Sequence, residues 1–229
     1  TAQIINNLAK SGVDLIEVGM PYSDPLADGP TIQQSGQKAI ENGMTLDHLF
    51  QQIEEARQTT QVPLVLMGYF NQVMQYGEQK FIDRCATVEI DGLILPDLPV
   101  YEYESLYKKA IEKANLKISF LITPQTSEER IRQIDDLSDS FIYMVSNSSI
   151  TGAKRDISEQ QIAYFNRINS MQLKNPRLIG FGISNHATYS TACQYASGAI
   201  IGSAFIRMLE QSKDLEKDIE GFVAMVRGK

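Results

Sequence analysis

The stretch Val13-Asp-Leu-Ile-Glu-Val-Gly-Met-Pro-Tyr-Ser-Asp-Pro-Leu-Ala-Asp-Gly-Pro30 decides how the rest of the chain is read. An apolar run, Val13–Val18, carries a carboxylate near its end and breaks into a loop with three prolines. A helix is expected to open near Thr31. Side chains alternate along a strand, so Val13, Leu15 and Glu17 share one face and Asp14 lies on the other. If Leu15 turns toward an inner core, Glu17 stands in the mouth at the strand's C-terminal end, where barrel enzymes place their chemistry. The loop adds Asp24 and Asp28, the latter eleven residues after Glu17. A buried and a solvated carboxylate titrate differently and can divide acid and base work. Asp24 precedes Pro25 and reads as a turn former. Asp28 could cap the helix, but Thr31 is an equally good cap, which leaves Asp28 for other work.

Outward from this stretch, short apolar runs alternate with amphipathic segments. The strands expected are Val13–Val18, Pro63–Met67, Gly92–Leu95, Ile118–Ile122, Phe141–Val145, Leu178–Gly180 and Gly198–Ile201. They are continuous runs of strand length, as expected when both faces are covered. Helices are expected over Ala2–Lys10, Thr31–Asn42, Thr45–Thr60, Glu78–Ala86, Glu102–Ala114, Glu128–Leu137, Ser158–Met171, Ala187–Ala196, Ser203–Glu210 and Leu215–Val226. Strict alternation implies an α/β fold with a parallel sheet and right-handed crossovers. No linker or composition break interrupts it, so residues 1–229 read as one domain.

A closed (β/α)8 TIM barrel needs eight strands, and seven are readable. An open doubly wound sheet could use seven; Gly-bearing turns after the late strands favour the barrel. Ile150-Thr-Gly152, Gly180-Phe-Gly-Ile-Ser184 and Gly202-Ser203 each follow a late strand. Glycine lets the backbone approach an anion, and amides at a helix start point toward it. These turns read as a phosphate cradle. No GxGxxG or GxxxxGK[ST] fingerprint is present.

Composition narrows the chemistry further. The net charge of −7, from 28 acids against 21 bases, argues against nucleic acid or an anionic membrane as the main partner. Two cysteines, Cys85 and Cys193, with no CxxC suggest buried thiols in a reducing, cytoplasmic compartment. The two histidines, His48 and His186, read as surface or packing residues, and no acid or histidine cluster has metal-ligand spacing. A Schiff-base aldolase needs a desolvated lysine at a strand end; Lys117 and Lys174 lie at the wrong ends, and only Lys154 in TGAKRD is a weak candidate. Acid–base catalysis by carboxylates on a phosphorylated substrate remains.

The string ExGxPxSDPxADGP resembles the tryptophan synthase alpha chain family. The likeness extends over MGYFN (67–71), DGLILPDLPV (91–100), ITPQT (122–126), ITGAK, GFGIS and GSAFIR. It implies retro-aldol cleavage of indole-3-glycerol phosphate to indole and glyceraldehyde 3-phosphate. By that resemblance Glu17 is the acid–base residue and Asp28 accepts the indole N–H. Tyr69, Leu95, Leu121 and Phe181 wall the indole pocket, and Tyr143 lies near Glu17. Thr151 steadies Asp28, while Gly152, Gly182, Gly202 and Ser203 hold the phosphate. The loops at 21–30 and 147–154 would act as lids. The resemblance also implies a pyridoxal-phosphate beta chain as partner, met by loops including Asp24 and Asp97, with no cofactor on this chain. It places strand one upstream of Thr1, so the first strand of the barrel is missing from these residues. Two positions depart from the family pattern: Ser149, often Gly, and Gln72, often Pro, where only local stiffness is expected to change. Two other readings stay open: another phosphate-binding barrel isomerase or aldolase, and a non-catalytic or truncated barrel acting only as beta-chain partner.

Overall fold

In the computed structural model, which describes residues 1–26, 28–146, 158–180 and 182–229, strands and helices alternate along the chain. The first half runs α1 (Ala2–Lys10), β1 (Ile16–Gly19), α2 (Pro30–Glu41), α3 (Leu46–Arg57), β2 (Leu64–Met67), α4 (Phe70–Tyr76), α5 (Glu78–Thr87) and β3 (Gly92–Ile94). Then come α6 (Val100–Glu102), a π-helical turn (Tyr103–Tyr107), α7 (Lys108–Lys113), β4 (Lys117–Ile118), β5 (Leu121–Ile122) and α8 (Glu128–Leu137). The remainder is β6 (Ile142–Val145), α9 (Glu159–Ser170), β7 (Arg177–Gly180), α10 (His186–Cys193), β8 (Gly198–Ala199), α11 (Ser203–Gln211) and α12 (Leu215–Arg227).

All strand pairings are parallel, in the orders β1-β2-β3-β4 and β5-β6-β7-β8. β4 and β5 are the two halves of the single strand expected over Ile118–Ile122. Ser119 N–H bonds the Leu93 carbonyl at 3.0 Å and the Phe120 carbonyl accepts Tyr143 N–H at 2.9 Å, so the strand changes neighbours at this point. The two ladders therefore form one run of seven strand positions. Among the described residues, β1 and β8 end the run without pairing to each other.

Period-two alternation builds two layers. Leu64, Leu66, Ile142 and Met144 face the helices in a large outer core, while Val65, Ile94, Phe141 and Tyr143 form an inner cluster. Leu15, Met67, Leu121, Val145, Leu178 and Ile200 pack on that inner cluster.

Several expected boundaries move, each for a local reason. β1 begins at Ile16 rather than Val13. Gly12 at φ +78° closes the turn after α1, and Val13 N–H reaches back to the Leu8 carbonyl, so Val13 packs on the outer core instead of the inner face. α2 begins at Pro30 with Gly29 as its N-cap, so Thr31 is the second helical residue and caps nothing. Proline suits the first helical position because its missing N–H costs no hydrogen bond there. α4 was unexpected: seven residues are too few to show a helical period. Cys85 is buried, but Cys193, at the end of α10, is exposed. No helix among the described residues is long and apolar enough to cross a membrane.

Candidate active site

Glu17 occupies the inner face of β1, register-paired with Val65 of the inner cluster. Its Oε2 is buried and accepts no hydrogen bond. Burial, and secondarily the charge of Asp28, push the Glu17 carboxyl up from 4.5 to about 7. A carboxyl near neutrality can both donate and accept a proton.

Asp28 is held from across the mouth. Tyr69, the N-cap residue of α4, donates its hydroxyl to Asp28 Oδ2 at 3.0 Å. Burial raises the Asp28 carboxyl, and the Tyr69 bond pulls it back toward ionisation. Asp28 accepts this hydrogen bond while Glu17 Oε2 accepts none, so the two carboxyls sit in different surroundings. Tyr69 is more than the apolar wall expected of it. It also stacks on Tyr22 of the acidic loop, with centroids 5.0 Å apart.

Tyr143 lies on the inner face of β6, and its hydroxyl is driven well above its ordinary pKa by burial and then by Glu17 and Asp28. It stays neutral and packs within the inner cluster. Gly180 lets it lie there: a Cβ at Gly180 would stand 2.3 Å from the Tyr143 hydroxyl and 2.4 Å from its ring.

Glu17, Asp28, Tyr69 and Tyr143 line one cavity of about 1250 Å³ with Gly182, Gly202 and Ser203. That exceeds a pocket for one small ligand, roughly 300–1,000 Å³. Its lining continues past the mouth to Leu8 of α1 and Val226 of α12. Gly182 adopts φ +81°, and Gly202 is the N-cap of α11, whose first amides have no side-chain cap. Uncapped helix amides facing a cavity suit an anion. Arg207, one turn into α11, donates to Thr31 Oγ1 at 3.3 Å and ties this corner to α2.

Not every expected residue reaches the cavity. Leu95 is buried in the outer core, because Ile94 takes the inward position and the alternation turns Leu95 away; its role as a pocket wall does not hold. Leu121 sits on the inner face, register-paired with Tyr143. Thr151, Gly152 and Phe181 lie outside the described residues, as do Ser149 and Lys154. Asp24 accepts the Ser23 hydroxyl at 2.6 Å, and its carbonyl accepts Leu26 N–H at 2.9 Å, which makes it a turn former. His48 and His186 each bond a backbone carbonyl, and among the described residues no acid, histidine or cysteine group could hold a metal.

Two neighbours of the site, Asn71 and Tyr22, were not singled out in the sequence, and a third, Gln72, was read for stiffness alone. Gln72 accepts Tyr69 N–H at 3.2 Å and donates to the Pro21 carbonyl at 2.8 Å, so it does more than alter stiffness. Asn71 donates to the Tyr22 hydroxyl at 3.0 Å. Tyr22 itself follows Pro21 in the acidic motif, a position that could have marked it.

Known proteins resemble this chain in both sequence and fold. The profile of the tryptophan synthase alpha chain family matches residues 1–228. The alpha chain of Flavobacterium psychrophilum is 57% identical over 212 residues, covering 93% of this chain and 84% of the relative. That of Flavobacterium johnsoniae is 54% identical over 227 residues, covering 99% and 89%. The Pyrococcus furiosus tryptophan synthase A-subunit superposes with a TM-score of 0.89 at 29% identity, covering 99% of this chain and 93% of that one. A tryptophan synthase complex from the same organism matches at 0.88 and 28%, with the same coverage. Sequence and fold agree, and the chain belongs to the tryptophan synthase alpha chain family.

Proposed function

We propose that this chain cleaves indole-3-glycerol phosphate to indole and glyceraldehyde 3-phosphate, with Glu17 and Asp28 as its catalytic residues. The carrying observation is the buried, unpartnered Glu17 Oε2 in the same cavity as Asp28 and the α11 N-terminus. An indole carbanion is a poor leaving group, and protonation of the ring carbon makes a good one. Glu17 delivers that proton, and its carboxylate takes one from the glycerol hydroxyl next to the breaking bond. The C–C bond then breaks, leaving its electron pair on indole and an aldehyde on the phosphate ester. Asp28, kept ionised by Tyr69, accepts the indole N–H and stabilises the cationic ring. Gly182, Gly202 and Ser203 hold the phosphate; for Gly152, Thr151 and Phe181, outside the described residues, the roles in phosphate binding, in steadying Asp28 and in walling the indole pocket rest on the family resemblance alone.

The fold reading that accompanies this function is an eight-position barrel over one domain, 1–229. The position between β1 and β8 is left to a strand outside the described pairings. The partner is a beta chain that carries pyridoxal phosphate and meets the mouth near Asp24, Asp97 and the exposed Leu26, in the cytoplasm. The test is direct: the purified chain, alone and with the beta chain, is given indole-3-glycerol phosphate and both products are quantified. Equimolar indole and glyceraldehyde 3-phosphate are expected; no indole under either condition refutes the assignment.

A further inference from the structure

Gln72 is the third residue of α4 and does not line the cavity. Its side chain nevertheless fastens two distant segments. Oε1 accepts Tyr69 N–H at 3.2 Å, and Nε2 donates at 2.8 Å to the carbonyl of Pro21, 51 residues away. Pro21 begins the acidic loop, and Tyr69 reaches back across the same gap to Asp28. The fit is close. A Cβ at Gly68 would stand 2.9 Å from Gln72 Oε1 and 2.3 Å from Cε of the buried Met20. Gly68 therefore makes room for both side chains.

We propose that Gln72 is a positioning residue for the cleavage reaction, holding the turn from which Tyr69 aims its hydroxyl at Asp28. The inference rests on the lyase reading above. The job needs a primary amide, because one end must accept and the other donate. Met fills a similar volume and does neither; Asn offers both groups but is one methylene too short to span the two partners. Without the clasp, the Tyr69 hydroxyl loses its fixed approach to Asp28, and small displacements at a catalytic group are costly. Among the described residues, the titratable groups facing Asp28 are Glu17, Tyr69 and Tyr143, of which Tyr69 favours its charged form.

The test compares wild type with Gln72→Met, Gln72→Asn, Tyr69→Phe and the Gln72→Met/Tyr69→Phe pair, all in the full chain. Two readouts are used: the Asp28 carboxyl pKa by carbon-13 NMR, which needs no activity, and steady-state indole release. Both Gln72 variants are expected to raise the Asp28 pKa as Tyr69→Phe does, with no further rise in the double variant. Their kcat should fall about tenfold while KM stays within about twofold, the pattern of a lost transition-state interaction. Effects that add in the double variant, or an Asp28 titration unchanged in a folded Gln72 variant, overturn the proposal. Absence of indole release by wild type would overturn the lyase reading alone, and the NMR titration would still decide the role of Gln72.

Discussion

Replacing Glu17 with Gln is expected to abolish cleavage and, at the same time, to remove a loss of stability that wild type suffers as pH rises from 4.5 to about 7. Below the ordinary carboxyl value of 4.5 the group is protonated in both folded and unfolded chains. Between 4.5 and about 7 the unfolded chain ionises while the folded chain keeps its proton. The native state then binds more protons, so stability falls as pH rises, and the loss levels off above 7. A carboxyl raised from 4.5 to about 7 corresponds to about 3 kcal/mol at 1.36 kcal/mol per pH unit. Gln cannot ionise, so the variant should lack this slope. A constant offset is expected from the new amide, whose donors enter a site with no partner for Oε2. The informative quantity is therefore the change in the stability difference with pH. Urea unfolding of both proteins from pH 4 to 8 should show the variant gaining about 3 kcal/mol on wild type across that range. Parallel stability curves would refute the buried, proton-holding Glu17.

Asp28→Asn keeps the shape and removes the charge; turnover should drop about 100- to 1,000-fold with phosphate-ester affinity retained, as checked by kinetics and calorimetry. Tyr69→Phe removes the bond that favours ionised Asp28, so the Asp28 pKa rises and the acid limb of the pH–rate profile moves to higher pH. The loss should then be greater at pH 6 than at pH 8. Gly180→Ala would force a methyl against the Tyr143 hydroxyl, 2.3 Å away, and should cost about 1–3 kcal/mol of stability by urea unfolding.

Local order explains what was legible in the sequence. α1 and α8 begin and end where expected because full-length amphipathic periods and caps such as Ser127 mark them. The inward face of Glu17 follows from period-two alternation with Leu15, and it survives even though Val13 belongs to the preceding turn. Glycines after the late strands pointed to the α11 start for the same reason: a strand-to-helix turn is a local event. The same alternation, counted from Ile94, turns Leu95 outward, a register that only strand pairing fixes. Non-local contacts were invisible. Tyr69 meets Asp28 across 41 residues, and nothing near either residue announces the other. Gly180 was read for anions alone; its closeness to Tyr143 appears only once β6 and β7 are in register. Gln72 looked like a change of stiffness because its partners are the N-cap residue of its own helix and a loop 51 residues away.

The most direct test of the central claim is a crystal structure with an uncleavable indole-3-glycerol phosphate analogue. The account predicts Glu17 Oε2 within hydrogen-bond reach of the glycerol hydroxyl, roughly 2.6–3.2 Å, with Asp28 on the indole N–H and the phosphate against Gly202 and Ser203. An analogue bound with its ring away from Glu17, or its phosphate away from the α11 start, would contradict it.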